Sequence, residues 1–120
     1  MGDAISTAKR PIDNEESMKY EIPVKFKPLS DQKIKESLVG LIGWEWSEDK
    51  LKKSFHFSGF RQAMGFILRI SYEAEAVDHH PEIFNCYNRV EIGLNTHDAG
   101  GKVTEKDINL ARAIEEISEI

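Results

Sequence analysis

The chain lacks most of the features that would mark a specialised class. It has one cysteine, Cys86, in 120 residues, so no disulfide can form within it, and a reducing compartment suits it. No apolar run nears the roughly 20 residues that span a bilayer. Basic residues are outnumbered, 16 Lys and Arg against 21 Asp and Glu for a net charge of −5. That balance argues against direct binding of nucleic acid, which needs a basic surface. The opening stretch MGDAISTAKRPIDNEES has no apolar core of a secretory signal, and its acidic residues disfavour a transit peptide. Proline is scarce, and three of the four (Pro11, Pro23, Pro28) fall in the first 28 residues. The remainder is ordinary, 40% hydrophobic and 31% charged, at a length that suits one domain with one modest core. A soluble protein of the cytoplasm is expected.

Residues 1–28 mix charge, serine and proline with little periodicity and are expected to form a flexible extension. Within them YEIPVKF is a candidate strand, confined to an edge by Pro23. The domain is expected to occupy 29–120. Ser30 suits an N-cap, and Ile34, Leu38, Leu41 and Ile42 make a helical stripe ending near Gly43. WEWS and LKKSFHF, either side of a polar EDK turn, predict a hairpin. A long helix is predicted over about 59–76, capped at Ser58, with Phe60, Met64, Ile67, Leu68 and Ser71 at helical spacing. EIFNCYN and RVEIGLNT predict two further strands, the second with Val90, Ile92 and Leu94 on one face and Gly93, Asn95 and His97 on the other. Cys86 is then a small packing residue within a strand. Thr104 and Asp107 have capping-box spacing ahead of a closing helix whose apolar positions include Ile108, Ala111, Ile114 and Ile117. The order α-β-β-α-β-β-α implies an α+β domain, a four-stranded antiparallel sheet with helices packed on one face.

Three of the four histidines, His79, His80 and His97, fall between residues 77 and 97. His56, alternating with phenylalanines, reads as a packing or surface residue. Pro81 keeps His80 out of the helical region, so the long helix must end before it. The other three rings then sit at a helix-to-strand junction and a strand end, where side chains can converge. Imidazole transfers protons near neutrality with little tuning. Two such groups on opposite sides of a small molecule could catalyse an elimination, one protonating a leaving hydroxyl and another helping to remove a proton. A zinc set of histidines with an aspartate is the rival, and a metal-dependent hydrolase the activity it would carry. Against it, adjacent histidines in extended chain point apart, and the i, i+4 pair of a helical zinc site is missing.

The stretch DHHPEIFNCYNRVEIGLNTHDAGG, followed by TEKDINLA and preceded by GWEW and FHFSGFRQAMGF, closely resembles the pterin-4a-carbinolamine dehydratase family. That family is also known as the dimerisation cofactor of a homeodomain transcription factor. The resemblance covers roughly residues 29–118. It implies a hydro-lyase that removes water from 4a-hydroxytetrahydrobiopterin to give quinonoid dihydrobiopterin, recycling tetrahydrobiopterin for aromatic amino acid hydroxylases. It implies neither a metal nor an organic cofactor. His79 and His97 match the proposed general acids, one for each stereoisomer, and His80 matches a histidine that holds the pterin. All three therefore stand as catalytic candidates. Asp78, Asn95, Thr96 and Asp98, with the three histidines, fall in the substrate-contacting segments, and Glu75 and Asp107 match supporting carboxylates. A homodimer or homotetramer is implied, with a helical protein partner and a nuclear location as further expectations. Ile83 stands where some members have an aromatic residue, and the loop after His97 is one residue longer than in the animal proteins.

Overall fold

The structure, a computed structural model, describes residues 27–119. All but the last two residues of the expected extension, and with them the candidate strand at 20–26, lie outside the described residues. The first helix, α1 (Asp31–Leu38), starts as its sequence predicts, with the Ser30 hydroxyl accepting from the Lys33 amide. It ends earlier than the stripe suggested. The Val39 amide bonds back to Glu36 in a tightened last turn, and Gly43 then adopts a φ of 88°. This exit carries Leu41 and Trp44 into the core and leaves Ile42 exposed.

Strands β1 (Glu45–Ser47) and β2 (Lys50–His56) form the expected hairpin, pairing Trp46 with Leu51. Helix α2 (Phe60–Val77) follows. Gly59, not Ser58, occupies its N-cap, and no side chain caps it. Strands β3 (Glu82–Cys86) and β4 (Arg89–Leu94) form the second hairpin, and helix α3 (Glu105–Ser118) closes the domain. All strand pairs are antiparallel, in the spatial order β1-β2-β4-β3.

Register decides what the sheet buries. Leu51 lies opposite Leu94, Lys53 opposite Ile92 and Phe55 opposite Val90, so these side chains share the face that meets the helices. Ile34 of α1, Phe66 and Ile70 of α2, and Ile108, Ala111 and Ile114 of α3 complete the core. The buried stripe of α2 is Ala63, Phe66, Ile70 and Ala74. The stripe read from the sequence lies roughly 100° further round the helix, at 100° per residue, and its members Phe60, Leu68 and Ser71 are exposed. Helix α2 is apolar on two sides, and burial chose the side with the small alanines, which let it approach the sheet. Cys86, expected as a packing residue, is exposed at the end of β3.

Candidate active site

Three chain segments meet at one end of the sheet. The C-terminus of α2 supplies the first. Asp78 ends the helix in the left-handed region at φ 52°, and the His79 amide donates to the Ala74 carbonyl at 3.0 Å. That reversal turns His79 inward, leaving it only 6% exposed. His80 points the other way and is exposed, its Nε2 at 2.8 Å from Glu75 Oε2 one turn back on the helix. The divergence follows from extended backbone ahead of Pro81.

The end of β4 supplies the second segment. The strand stops at Leu94, and His97 opens a short 3-10 helix, His97–Ala99. The burial alternation runs on past the strand end, with Thr96 extended and buried between half-buried Asn95 and exposed His97. Gly100 and Gly101, both at φ 75°, fold the following loop back. The loop is closed by Asn95 Nδ2 donating to the Gly101 carbonyl at 3.1 Å and by a bridge from Thr96 to Lys102. His97 and Asp98 are exposed on this turn.

The first turn of α3 is the third segment. Thr104 and Asp107 form the predicted capping box, with the Thr104 amide donating to Asp107 Oδ2 at 2.8 Å. Asp107 is fully buried, and its other oxygen, Oδ1, lies 2.6 Å from His79 Nε2. Oδ2 also accepts from the Thr96 hydroxyl at 2.8 Å. A carboxylate only accepts, so with Asp107 ionised the hydrogen on the short His79 contact belongs to Nε2. Among the described residues Nδ1 of His79 has no protein partner. A buried imidazole with one nitrogen anchored on a carboxylate and the other unengaged is arranged for proton transfer.

The structure thus brings His79, Asp107 and Thr96 into one hydrogen-bonded cluster, with Asp78, His80, Asn95 and His97 as immediate chain neighbours of its members. Glu75 meets His80 and not His79. Thr104 is the member that sequence reasoning did not assign to the site. Its cap was legible, but its hydroxyl contact with Thr96 at 2.6 Å was not. A separate hollow of about 570 Å3 lies over the sheet face turned away from the core, lined by Lys50, Lys52, Glu82, Phe84 and Glu91 among others. It contains none of the histidines. Its Lys50 and Glu82 pair with each other at 2.7 Å.

The profile of the family described as pterin 4 alpha carbinolamine dehydratase matches residues 27–117. A relative in Opitutus terrae, named for that dehydratase, is 52% identical over 90 residues, covering 75% of this chain and 93% of its own. One from Christiangramia forsetii with the same name is 47% identical over 91 residues, covering 76% and 93%. Among solved structures, a transcriptional coactivator/pterin dehydratase from Brucella melitensis superposes with a TM-score of 0.73 at 39% identity, covering 77% of this chain and 99% of the other. The matched span takes in all three segments of the site, and the chain belongs to the pterin 4 alpha carbinolamine dehydratase family.

Proposed function

We propose that this chain dehydrates 4a-hydroxytetrahydrobiopterin to quinonoid dihydrobiopterin by proton transfer from histidine. The observation that carries the reading is the His79–Asp107 contact at 2.6 Å, with the carboxylate held by two further donors. In the reaction an imidazolium gives its proton to the 4a-hydroxyl as the carbon–oxygen bond breaks and water leaves. The proton on the adjacent ring nitrogen is lost, and its bonding pair becomes the new carbon–nitrogen double bond. No electron is gained or lost. His79 serves one stereoisomer from Nδ1, and His97 serves the other face. His80, oriented by Glu75, holds the pterin. Asp78, Asn95 and Asp98 supply polar contacts to its amide-like edge. The product returns to the tetrahydrobiopterin cycle of aromatic amino acid hydroxylases in the cytoplasm.

The purified protein should accelerate loss of the 4a-hydroxypterin absorbance left by a hydroxylase turnover, equally with and without chelator. No acceleration rejects the dehydratase reading, and inhibition by chelator favours the metal-dependent alternative. His79→Ala and His97→Ala should each slow a different stereoisomer, by roughly 10²–10⁴-fold for loss of a general acid, whereas His80→Ala should chiefly raise KM. Equal losses on both isomers for all three would remove the division of roles.

A second reading, that of a protein-binding adaptor, is favoured by one observation. Phe60, Leu68 and Tyr72 leave an apolar face of α2 exposed, which could receive a helical partner or another copy of the chain. Survival of such a complex after substitution of all three histidines would support it. With a transcriptional partner the protein would also enter the nucleus.

A further inference from the structure

We propose that Thr96 is a positioning residue that acts on the substrate through Asp107 and His79, and does not itself touch the pterin. The proposal rests on the dehydratase reading above. Thr96 is only 3% exposed, and every polar group it carries is engaged. Its amide donates to the Lys102 carbonyl at 2.8 Å, and its carbonyl accepts from the amides of Ala99 and Gly101, both at 3.0 Å. Its hydroxyl donates to Asp107 Oδ2 at 2.8 Å and lies 2.6 Å from the Thr104 hydroxyl. A hydroxyl has one proton. With Thr96 donating to the carboxylate, the short contact must be Thr104 donating to Thr96.

The bonds therefore run in one direction, Thr104 to Thr96 to Asp107, and meet the His79 N–H on the far oxygen. Each donor polarises the next in so dry a setting. The geometric consequence is larger. Rotation of the Asp107 carboxylate would break both bonds to Oδ2, so Oδ1 stays fixed on Nε2 of His79. The imidazole is held as the Nε2–H tautomer, and Nδ1 is the atom left for the substrate. The backbone bonds of Thr96 meanwhile pin the turn that carries His97. One residue thus holds both acids, His79 through its side chain and His97 through its main chain, and a side-chain substitution separates the two.

Thr96→Val keeps the volume and removes the hydroxyl. It should lower kcat at least about tenfold on the stereoisomer served by His79, a part of the roughly 10²–10⁴ that a general acid supplies. KM should change less than about twofold, and the other stereoisomer should react within about twofold of the wild-type rate. Thr96→Ser should restore both. Independently of activity, imidazole 15N shifts should place the His79 proton on Nε2 in both proteins, and the 1H resonance of that proton should move upfield in Thr96→Val as its hydrogen bond to the loosened carboxylate weakens. A dead wild-type enzyme defeats the dehydratase reading but leaves this spectrum to decide the positioning. An Nδ1–H tautomer in the wild type, an unmoved Nε2–H resonance in folded Thr96→Val, or a raised KM on both isomers overturns the proposal. If Thr96→Val does not fold, the wild-type Thr96 hydroxyl proton decides. Slow exchange with water upholds the proposal, and exchange at the rate of an exposed hydroxyl overturns it.

Discussion

Asp107 has two oxygens and three donors around them, and that count predicts what an amide in its place would do. In Asp107→Asn only one oxygen remains. Two donors, the Thr104 amide and the Thr96 hydroxyl, converge on one side of the group, and one, His79 Nε2–H, stands on the other. Leaving two buried donors unmatched costs more than leaving one, at about 1–3 kcal/mol each. The oxygen should therefore face the threonines and the NH2 should face His79. An NH2 there can only meet an accepting Nε2, which moves the imidazole proton to Nδ1. Asp107→Asn should thus keep the helix cap and nearly all the stability. It should still slow the His79 stereoisomer by roughly 10²–10⁴-fold. Thermal melting and stereoisomer-resolved kinetics check the two halves, and a large loss of stability with the rate intact would refute the assignment. The sequence showed half of this residue. The Thr-x-x-Asp spacing announced a cap, because a capping box is local. The contact to His79 joins residues 28 positions apart and has no periodic signature, so only the resemblance pointed to it. The same limit hid Thr104, since nothing in a sequence tells whether a hydroxyl faces a ligand or, as that of Thr96 does, a carboxylate.

At the scale of elements, each helix and strand was announced by its spacing, and in β4 and α3 the spacing also marked the buried face, whereas in α2 it did not. Helix α2 carries two apolar stripes, and the sequence does not say which one the sheet takes. Nor does strand alternation predict a lysine on the core-facing side of β2. Lys53 sits there because its charge finds partners at the rim. Nζ donates to Glu115 Oε2 at 2.6 Å and to the Ile42 carbonyl at 2.8 Å, and Trp44 Nε1 donates to the same Glu115 oxygen at 2.8 Å. This cluster ties α3 to the first hairpin, and Gly43 makes room for it. A Cβ on Gly43 would lie 2.9 Å from Lys53 Cε, at a backbone φ of 88°. Gly43→Ala should therefore cost roughly 1–2 kcal/mol for the left-handed backbone alone, with more from displacing Lys53. Urea unfolding of Gly43→Ala beside Gly40→Ala measures this. The second variant is the control, because a Cβ at Gly40 meets nothing within 4 Å. Equal midpoints for the two would refute both costs, the backbone's and that of displacing Lys53.

At the scale of the whole molecule, exposed apolar side chains among the described residues cluster on two different elements. Along α2 run Phe60, Leu68 and Tyr72, the last 70% exposed, and at the β3 edge of the sheet stand Ile83, Phe84 and Tyr87. Rings and branched chains so placed are costly in water, at about 25 cal/mol per Å2, and an open sheet edge is a template for pairing. Two distinct self-complementary surfaces on one chain would build a closed tetramer with two kinds of interface, and one such surface would build a dimer. The expected homo-oligomer thus becomes a question of which surface is used. Leu68→Glu places a charge in the middle of the α2 face without touching the buried stripe of Ala63, Phe66, Ile70 and Ala74. It should leave circular dichroism and the His79 chemistry unchanged while reducing the sedimenting mass. If both surfaces self-associate, a tetramer should fall to a dimer that still pairs at the β3 edge, and Phe84→Lys in the same chain should carry it to a monomer. If α2 instead serves a helical partner, Leu68→Glu should leave the mass unchanged and abolish that partner's binding. A wild-type chain that sediments as a monomer at assay concentration would remove the self-association argument for both surfaces at once.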